Sequence, residues 1–436
     1  MLDEKGERAM LKKSSLILML LFILSIMSSC NIIDKVNNQN ISNNSSQVDD
    51  AQSDPKENST QDSEVKPEPK PIDPIIEQIG KMTIDEKIGQ MLVVGIDGYD
   101  LNENTKSLIE KSKIGGVILF SNNVQDTNQL LNLLNSLKSE NLKNKIPLFL
   151  SVDEEGGRVT RMPKEFKKFP TNEAIGKIND ANLSYNIGST IALQIGSFGF
   201  NMDFAPVLDV NSNSENPVIG NRSFGEDANI VSKLGIQTMK GIQSENIIPV
   251  VKHFPGHGDT SVDSHLGLPS VNNDLKRLKS LELVPFIEAI KNNADAVMIA
   301  HILLPKIDSE NPSSLSKIFI TDILRDDLNF NGVIITDDMT MGAIAKNYNI
   351  GEAAVKSVKA GTDIVLVCHG YDNVVTVINA VKNAILKGAI SEQIIDESIY
   401  RILSLKQRYN LNDEIIDSVN VEDINSKINN LLNKRF

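Results

Sequence analysis

The stretch Ile248-Pro-Val-Val-Lys-His-Phe-Pro-Gly-His-Gly-Asp-Thr-Ser-Val-Asp-Ser-His265 joins two kinds of sequence that rarely meet by accident. Ile248–Val251 is a continuous apolar run with no polar alternation, as expected of a parallel strand buried on both faces. From Lys252 the character changes. Pro255, Gly256 and Gly258 exclude a helix and favour a tight loop of close backbone approach, and that loop carries His257, Asp259, Asp263 and His265. An apolar strand that runs into a polar loop is the unit to look for elsewhere.

It recurs seven more times. Met91–Ile96, Gly116–Phe120, Pro147–Val152, Met202–Val210, Ala296–Ala300, Val333–Thr336 and Asp363–Val367 are short runs dominated by apolar residues. A capping box, Thr83-Ile-Asp-Glu86, announces a helix before the first run. Amphipathic segments such as Thr127–Leu137, Leu275–Ile290 and Gly351–Ala360 lie between later runs. Eightfold alternation of strand and helix predicts a single (β/α)8 TIM barrel rather than an open doubly wound sheet. The open sheet would place G-x-G-x-x-G after its first strand, and Gly95-Ile-Asp-Gly98 lacks that spacing.

Active sites of such barrels sit at the C-terminal strand ends. The polar residues gather there: Asp153-Glu-Glu-Gly-Gly-Arg158 after strand three, Lys252-His253 after five, His301 after six, Asp337-Asp338 after seven and His369 after eight. Any one histidine could be structural. All five of the chain's histidines following strand ends are hard to attribute to packing.

The N-terminus reads differently. Lys12 and Lys13 precede the apolar run Leu16–Met27, which meets Ser28-Ser29-Cys30. That is a charged n-region, a short h-region and a small-residue cleavage site, too short to span a bilayer comfortably. Cys30 directly after the small pair predicts a lipoprotein signal over residues 1–29, although Met27 stands where leucine is commoner. Acylated Cys30 would tether the protein to the membrane, outside the cytoplasm. The acids in MLDEKGERA, residues 1–9, do not suit an n-region, so Met10 is read as the start. Residues 30–72 are rich in Asn, Ser, Gln, Asp, Lys and Pro and predict a flexible linker, leaving 73–436 for the barrel.

Composition narrows the partners. Forty-four basic and 57 acidic residues give a net charge of −13, with no basic block, which disfavours nucleic acid. Two cysteines, Cys30 and Cys368, make no disulfide framework. Tryptophan is absent, so any sugar-stacking platform must use Tyr or Phe.

Five motifs at the ends of strands three, four, five and seven carry a resemblance. They are the Lys252–His265 loop, Asp153-Glu-Glu-Gly-Gly-Arg-Val-Thr-Arg161, Pro206-Val-Leu-Asp209, Gly220-Asn-Arg-Ser-Phe-Gly225 and Ile335-Thr-Asp-Asp-Met339. Together, over about residues 75–410, the chain resembles glycoside hydrolase family 3, and within it the bacterial β-N-acetylhexosaminidases of cell-wall turnover. Side-chain alternation along a strand implies that Asp337 and Asp338 do not both face the barrel mouth. Alternation does not say which does, and the resemblance chooses Asp337 as nucleophile.

The resemblance implies further roles. The acid/base falls to His265 in the unit Asp263-Ser-His265, with Asp263 orienting the ring. An imidazole with an ordinary pKa near 6.5 can donate and then accept a proton near neutrality. Asp153, Arg161, Arg222, Lys252 and His253 would hold the hydroxyls and N-acetyl group of the sugar. His257 and Asp259 would shape the loop, while Glu155 is either a loop organiser or a site residue.

The function implied is a retaining exo-β-N-acetylglucosaminidase acting on peptidoglycan fragments, with a carbohydrate as partner and neither cofactor nor metal. Alternatives are a phosphorolytic relative or β-glucosidase of the same family, and a non-catalytic glycan-binding lipoprotein. A metal amidohydrolase on the same barrel would open with His-x-His at strand one, where this chain has Gly95-Ile-Asp-Gly98.

Overall fold

A computed structural model describes residues 73–433. The signal segment, Cys30 and the linker to residue 72 lie outside the described residues. Among the described residues no helix is long and apolar enough to cross a membrane.

Eight parallel strands form one sheet. They are β1 Leu92–Gly95, β2 Gly116–Leu119, β3 Phe149–Val152, β4 Met202–Asp203, β5 Ile248–Phe254, β6 Ala296–Ile299, β7 Val333–Thr336 and β8 Val365–Val367. Their order is β7-β6-β5-β4-β3-β2-β1-β8, and a parallel bridge from Ile335 to Ile364 joins the two ends into a barrel. Nearly every strand residue is buried, the arrangement that selects continuous Val, Ile and Leu runs. The capping box forms as well, with the Glu86 N–H donating to Thr83 Oγ1 at 3.2 Å and the Thr83 N–H to Glu86 Oε2 at 2.8 Å.

Three elements depart from the sequence expectation. β4 stops at Asp203, and Phe204–Val210 runs on as irregular chain, attached by a bridge from Val207 to Lys252. β5 is longer than its apolar run, so Lys252 and His253 belong to the strand itself. The expected helix Leu275–Ile290 is two helices, Leu275–Ser280 and Val284–Lys291, the second with proline in its first turn.

Towards the end of the barrel opposite the polar loops lies a buried lysine, its pKa pushed down to about 7 by burial. Lys406, from the helix Glu392–Arg408, donates to Gln90 Oε1 and to the carbonyls of Gly115 and Pro147 at 2.7–2.8 Å. Its ammonium also lies 4.4 Å from the Phe149 ring centroid. The polar residues singled out in the sequence lie at the other end, where β3 and β5 to β8 finish.

Candidate active site

A chain of alternating charges lines one wall of the mouth. Glu155 takes Arg222 in a fork, Nη2 at 2.7 Å and Nε at 2.9 Å, and holds Lys252 Nζ at 2.7 Å. Lys252 also donates to Asp153 Oδ1 at 2.7 Å, and Arg161 Nη2 lies 3.9 Å from Asp153 Oδ2. Glu155 and Lys252 are buried, whereas Asp153 and Arg161 are partly open to the cavity. Burial opposes the charge on Glu155, but Arg222 and Lys252 outweigh it and hold the carboxyl well below the usual range. Burial likewise opposes the Lys252 ammonium, and Asp153 and Glu155 outweigh that. A wall of fixed donors and acceptors suits a polyol, whose hydroxyls do both.

Below it, Asp209 is an organiser. Its Oδ2 lies 2.6 Å from His253 Nδ1, and its Oδ1 accepts the His257 N–H at 2.6 Å. Arg222 Nη2 lies 3.3 Å from His253 Nε2. The guanidinium can only donate, so the network assigns the His253 proton to Nδ1.

β7 delivers the two aspartates. Both border the cavity, which corrects the expectation that only one would face the mouth. The strand ends at Thr336, so its alternation does not govern the residues beyond it. The two still differ in what they touch. Asp338 turns towards β8, accepting the N–H groups of Cys368 and Thr340, each at 2.9 Å, and the Thr340 hydroxyl at 2.6 Å. Asp337 Oδ1 accepts only the Asp338 N–H at 2.8 Å, and Oδ2 has no hydrogen bond among the described residues. Burial would raise the Asp337 pKa, but His301, His253 and the Asp338 N–H outweigh it and hold the carboxyl below its ordinary value. His301 is buried with Ser314 Oγ at Nδ1 and the Asp338 carbonyl at Nε2. It supports the turn rather than the cavity surface.

The third component is the loop after β5. His265 Nδ1 lies 2.9 Å from Asp263 Oδ1, which also accepts the His265 N–H at 2.8 Å. That pairing leaves Nε2 for the cavity. Beneath the loop, His257 is buried between Thr260 Oγ1 at 2.8 Å and Ser264 Oγ at 3.2 Å. Asp259 accepts from Asn273 at 2.9 Å.

These elements enclose a cavity of about 220 Å³. Asp153, Arg161, Arg222, Lys252, His253, His265 and Asp337 all line it, and Asp263 stands behind His265. Phe120 and His369, 5.4 Å between ring centroids, add the aromatic surface that a chain without tryptophan must find elsewhere. Among the described residues no group of three or more His, Cys, Asp or Glu is placed to hold a metal ion.

Sequence reasoning leaves Glu155 between two roles and gives Asp209 none. Glu155 resolves into the centre of the charge chain. Asp209 stood in a quoted motif, but its signal was weak: a lone carboxylate in an apolar run, with its partners 44 and 48 residues away.

Comparison with known proteins points the same way. The family described as Glycosyl hydrolase family 3 N terminal domain matches residues 83–405. Beta-hexosaminidase A of Pseudoalteromonas piscicida is 36% identical over 278 residues, 59% of this chain but only 46% of that protein. The chain thus spans about half the length of that relative. Beta-hexosaminidase of Glaesserella parasuis is 34% identical over 300 residues, 67% of this chain and 84% of that one. Among solved structures, a family 3 β-N-acetylglucosaminidase from Paenibacillus superposes with a TM-score of 0.76 at 38% identity, covering 80% of this chain and 68% of the other. NagZ of Neisseria gonorrhoeae, in complex with N-trifluoroacetyl-D-glucosamine, gives 0.66 at 31% identity, covering 78% and 97%.

Proposed function

The chain belongs to glycoside hydrolase family 3, and from that premise we propose that it is a β-N-acetylhexosaminidase releasing terminal β-linked N-acetylglucosamine with retention. One observation carries the reading. A single cavity holds an ionised carboxylate, Asp337, with one oxygen free of partners among the described residues, and an imidazole, His265, tied among them at one nitrogen only.

Asp337 Oδ2 attacks the anomeric carbon while the bond from that carbon to the leaving oxygen breaks. His265 Nε2 gives its proton to that oxygen, so the aglycone departs as an alcohol. Water then attacks the anomeric carbon of the glycosyl-Asp337 ester while His265 takes a proton from it, and the bond from that carbon to Asp337 Oδ2 breaks to release the carboxylate. Two displacements restore the β configuration. Asp263 holds the ring and its Nδ1 proton throughout. Asp153, Arg161, Arg222, Lys252 and His253 bind the hydroxyls and N-acetyl group from the charged wall.

The biological substrate is a peptidoglycan fragment, and the enzyme works outside the cytoplasm. There it is held to the membrane through acylated Cys30 and the linker to residue 72. The pattern Ser28-Ser29-Cys30 and the polar composition of residues 30–72 support this setting.

The test is a panel of β-linked N-acetylglucosamine, N-acetylgalactosamine and glucose substrates with muropeptides included, each assayed with and without inorganic phosphate. Release of β-N-acetylglucosamine, unchanged by phosphate, is the expected result. A sugar 1-phosphate would make the enzyme a phosphorylase. A preference for glucosides would make it a β-glucosidase, and no turnover would leave a binding protein.

A further inference from the structure

We propose that Gly342 and Lys346 are positioning residues for the acid/base: they dock the His265 loop onto the segment that carries Asp337, so that the two reacting groups share one frame. This rests on the assignment of His265 and Asp337 above.

The problem they solve is visible in the loop. The His265 side chain is 66% exposed and the next residue, Leu266, is 68% exposed, so little side-chain packing fixes the ring. Asp263 orients the imidazole but lies on the same loop and would move with it. Something outside the loop must set its distance from Asp337.

Three consecutive carbonyls supply that link. Ser264 O accepts the Ala343 N–H at 3.0 Å and His265 O the Gly342 N–H at 3.2 Å. Leu266 O accepts Lys346 Nζ at 2.7 Å. The two N–H groups open the short helix Gly342–Ala345, where the first amides have no partner within the helix. That helix is continuous with the nucleophile turn, since the Met341 N–H donates to Asp338 O at 3.0 Å and the Ala345 N–H to Met341 O at 2.8 Å. Only four residues separate Asp337 from Gly342 in the chain.

Glycine is required at 342 by this contact. A Cβ there would lie 2.4 Å from His265 O and 3.1 Å from the carbonyl carbons of His265 and Leu266. All three atoms are backbone, so no side chain can swing aside. Relief to 3.0 Å demands a shift of about 0.6 Å in the loop or the helix. Gly342 is not among the residues at positive φ, and alanine favours a helix over glycine. Alanine is thus compatible with the local backbone and in conflict only with the acid/base loop.

The experiment compares Gly342→Ala, Lys346→Gln and His265→Ala with the wild type on two N-acetylglucosaminides. One carries an aryl leaving group of low pKa and the other an alkyl aglycone. kcat/KM reports the first chemical step, in which only the alkyl substrate depends strongly on a well-placed acid. Gly342→Ala should lower kcat/KM for the alkyl substrate on the order of 10- to 100-fold, the scale expected of a sub-ångström to one-ångström misplacement. The aryl substrate should change less than about threefold, and azide should accelerate its second step. Lys346→Gln should show the same pattern more weakly, and carries the test should Gly342→Ala fold poorly. Equal losses on both substrates, or no loss on either, overturn the proposal. If His265→Ala itself shows no leaving-group dependence, the acid/base assignment fails first and this inference with it.

Discussion

His253 Nδ1 and Asp209 Oδ2 are 2.6 Å apart with both side chains buried, and the other oxygen of the same carboxylate holds the backbone of His257. One group therefore organises the sugar-binding wall and the root of the acid/base loop together. Asp209→Asn should break both. If the amide oxygen keeps the backbone contacts, its NH2 faces a ring nitrogen that now must accept, and the Nε2 proton is driven against Arg222. We expect a stability loss of about 1–3 kcal/mol, the cost of leaving a buried polar group unsatisfied, and reduced kcat/KM. A variant with wild-type denaturant midpoint and activity would remove Asp209 from this position.

Asp337→Ala should abolish turnover, while Asp338→Ala should retain part of it, because Asp338 is spent on Cys368 and Thr340. A fluorinated sugar trap followed by mass spectrometry should place the adduct on Asp337. The positive surroundings hold the Asp337 pKa below that of an ordinary aspartate. Activity lost on acidification towards pH 5 should therefore trace to groups other than the nucleophile, and protonation of Asp337 itself should limit kcat/KM only below the ordinary aspartate pKa. An adduct on another residue would reassign the nucleophile.

Glu155→Gln leaves Arg222 and Lys252 buried with one anion fewer between them. Removing one partner of a buried ion pair costs on the order of 3–5 kcal/mol. The expected result is a large fall in thermal midpoint, with KM raised because Arg222 and Lys252 lose their placement. An unchanged midpoint would show that Asp153 alone suffices to hold Lys252.

The barrel was legible in the sequence because a strand buried on both faces must be apolar throughout, which β2, β3, β6 and β7 obey to within a residue or two. β4 was not, because Phe204–Val210 is as apolar as a strand yet leaves the ladder after Asp203. The break in Leu275–Ile290 is a backbone event that the amphipathic pattern does not register. At the site, charged residues near strand ends were visible one by one. Their pairing was not: Arg222 and Glu155 stand 67 residues apart, and Asp153 and Lys252 stand 99 apart. Nothing in the sequence marks Gly342, since its constraint is a carbonyl on another loop.

Cys30→Ala should move the protein from the membrane fraction to the soluble fraction with its specific activity intact, because the barrel starts more than 40 residues later. Fractionation of cells expressing each form, with labelled fatty acid, checks this. A wild type that is already soluble and unlabelled would end the lipoprotein reading.

His257 gives the acid/base loop a dependence on pH that catalysis does not require. Burial pushes its pKa down from the ordinary 6.5 to about 4. The unfolded chain therefore binds a proton below about pH 6.5 that the folded protein refuses until about pH 4. Stability from this group is complete above pH 6.5 and falls as the pH drops towards 4, by roughly 3 kcal/mol in all. His257→Gln carries no titrating proton and keeps a polar group near Ser264 Oγ. Its unfolding free energy should lie below that of the wild type at pH 7, where the native ring bonds Thr260 and Ser264. The gap should narrow steadily between pH 6.5 and 4.5, because only the wild type loses this contribution. Urea unfolding of both proteins at three pH values measures it. Parallel pH profiles would show that the buried ring takes up its proton as readily folded as unfolded.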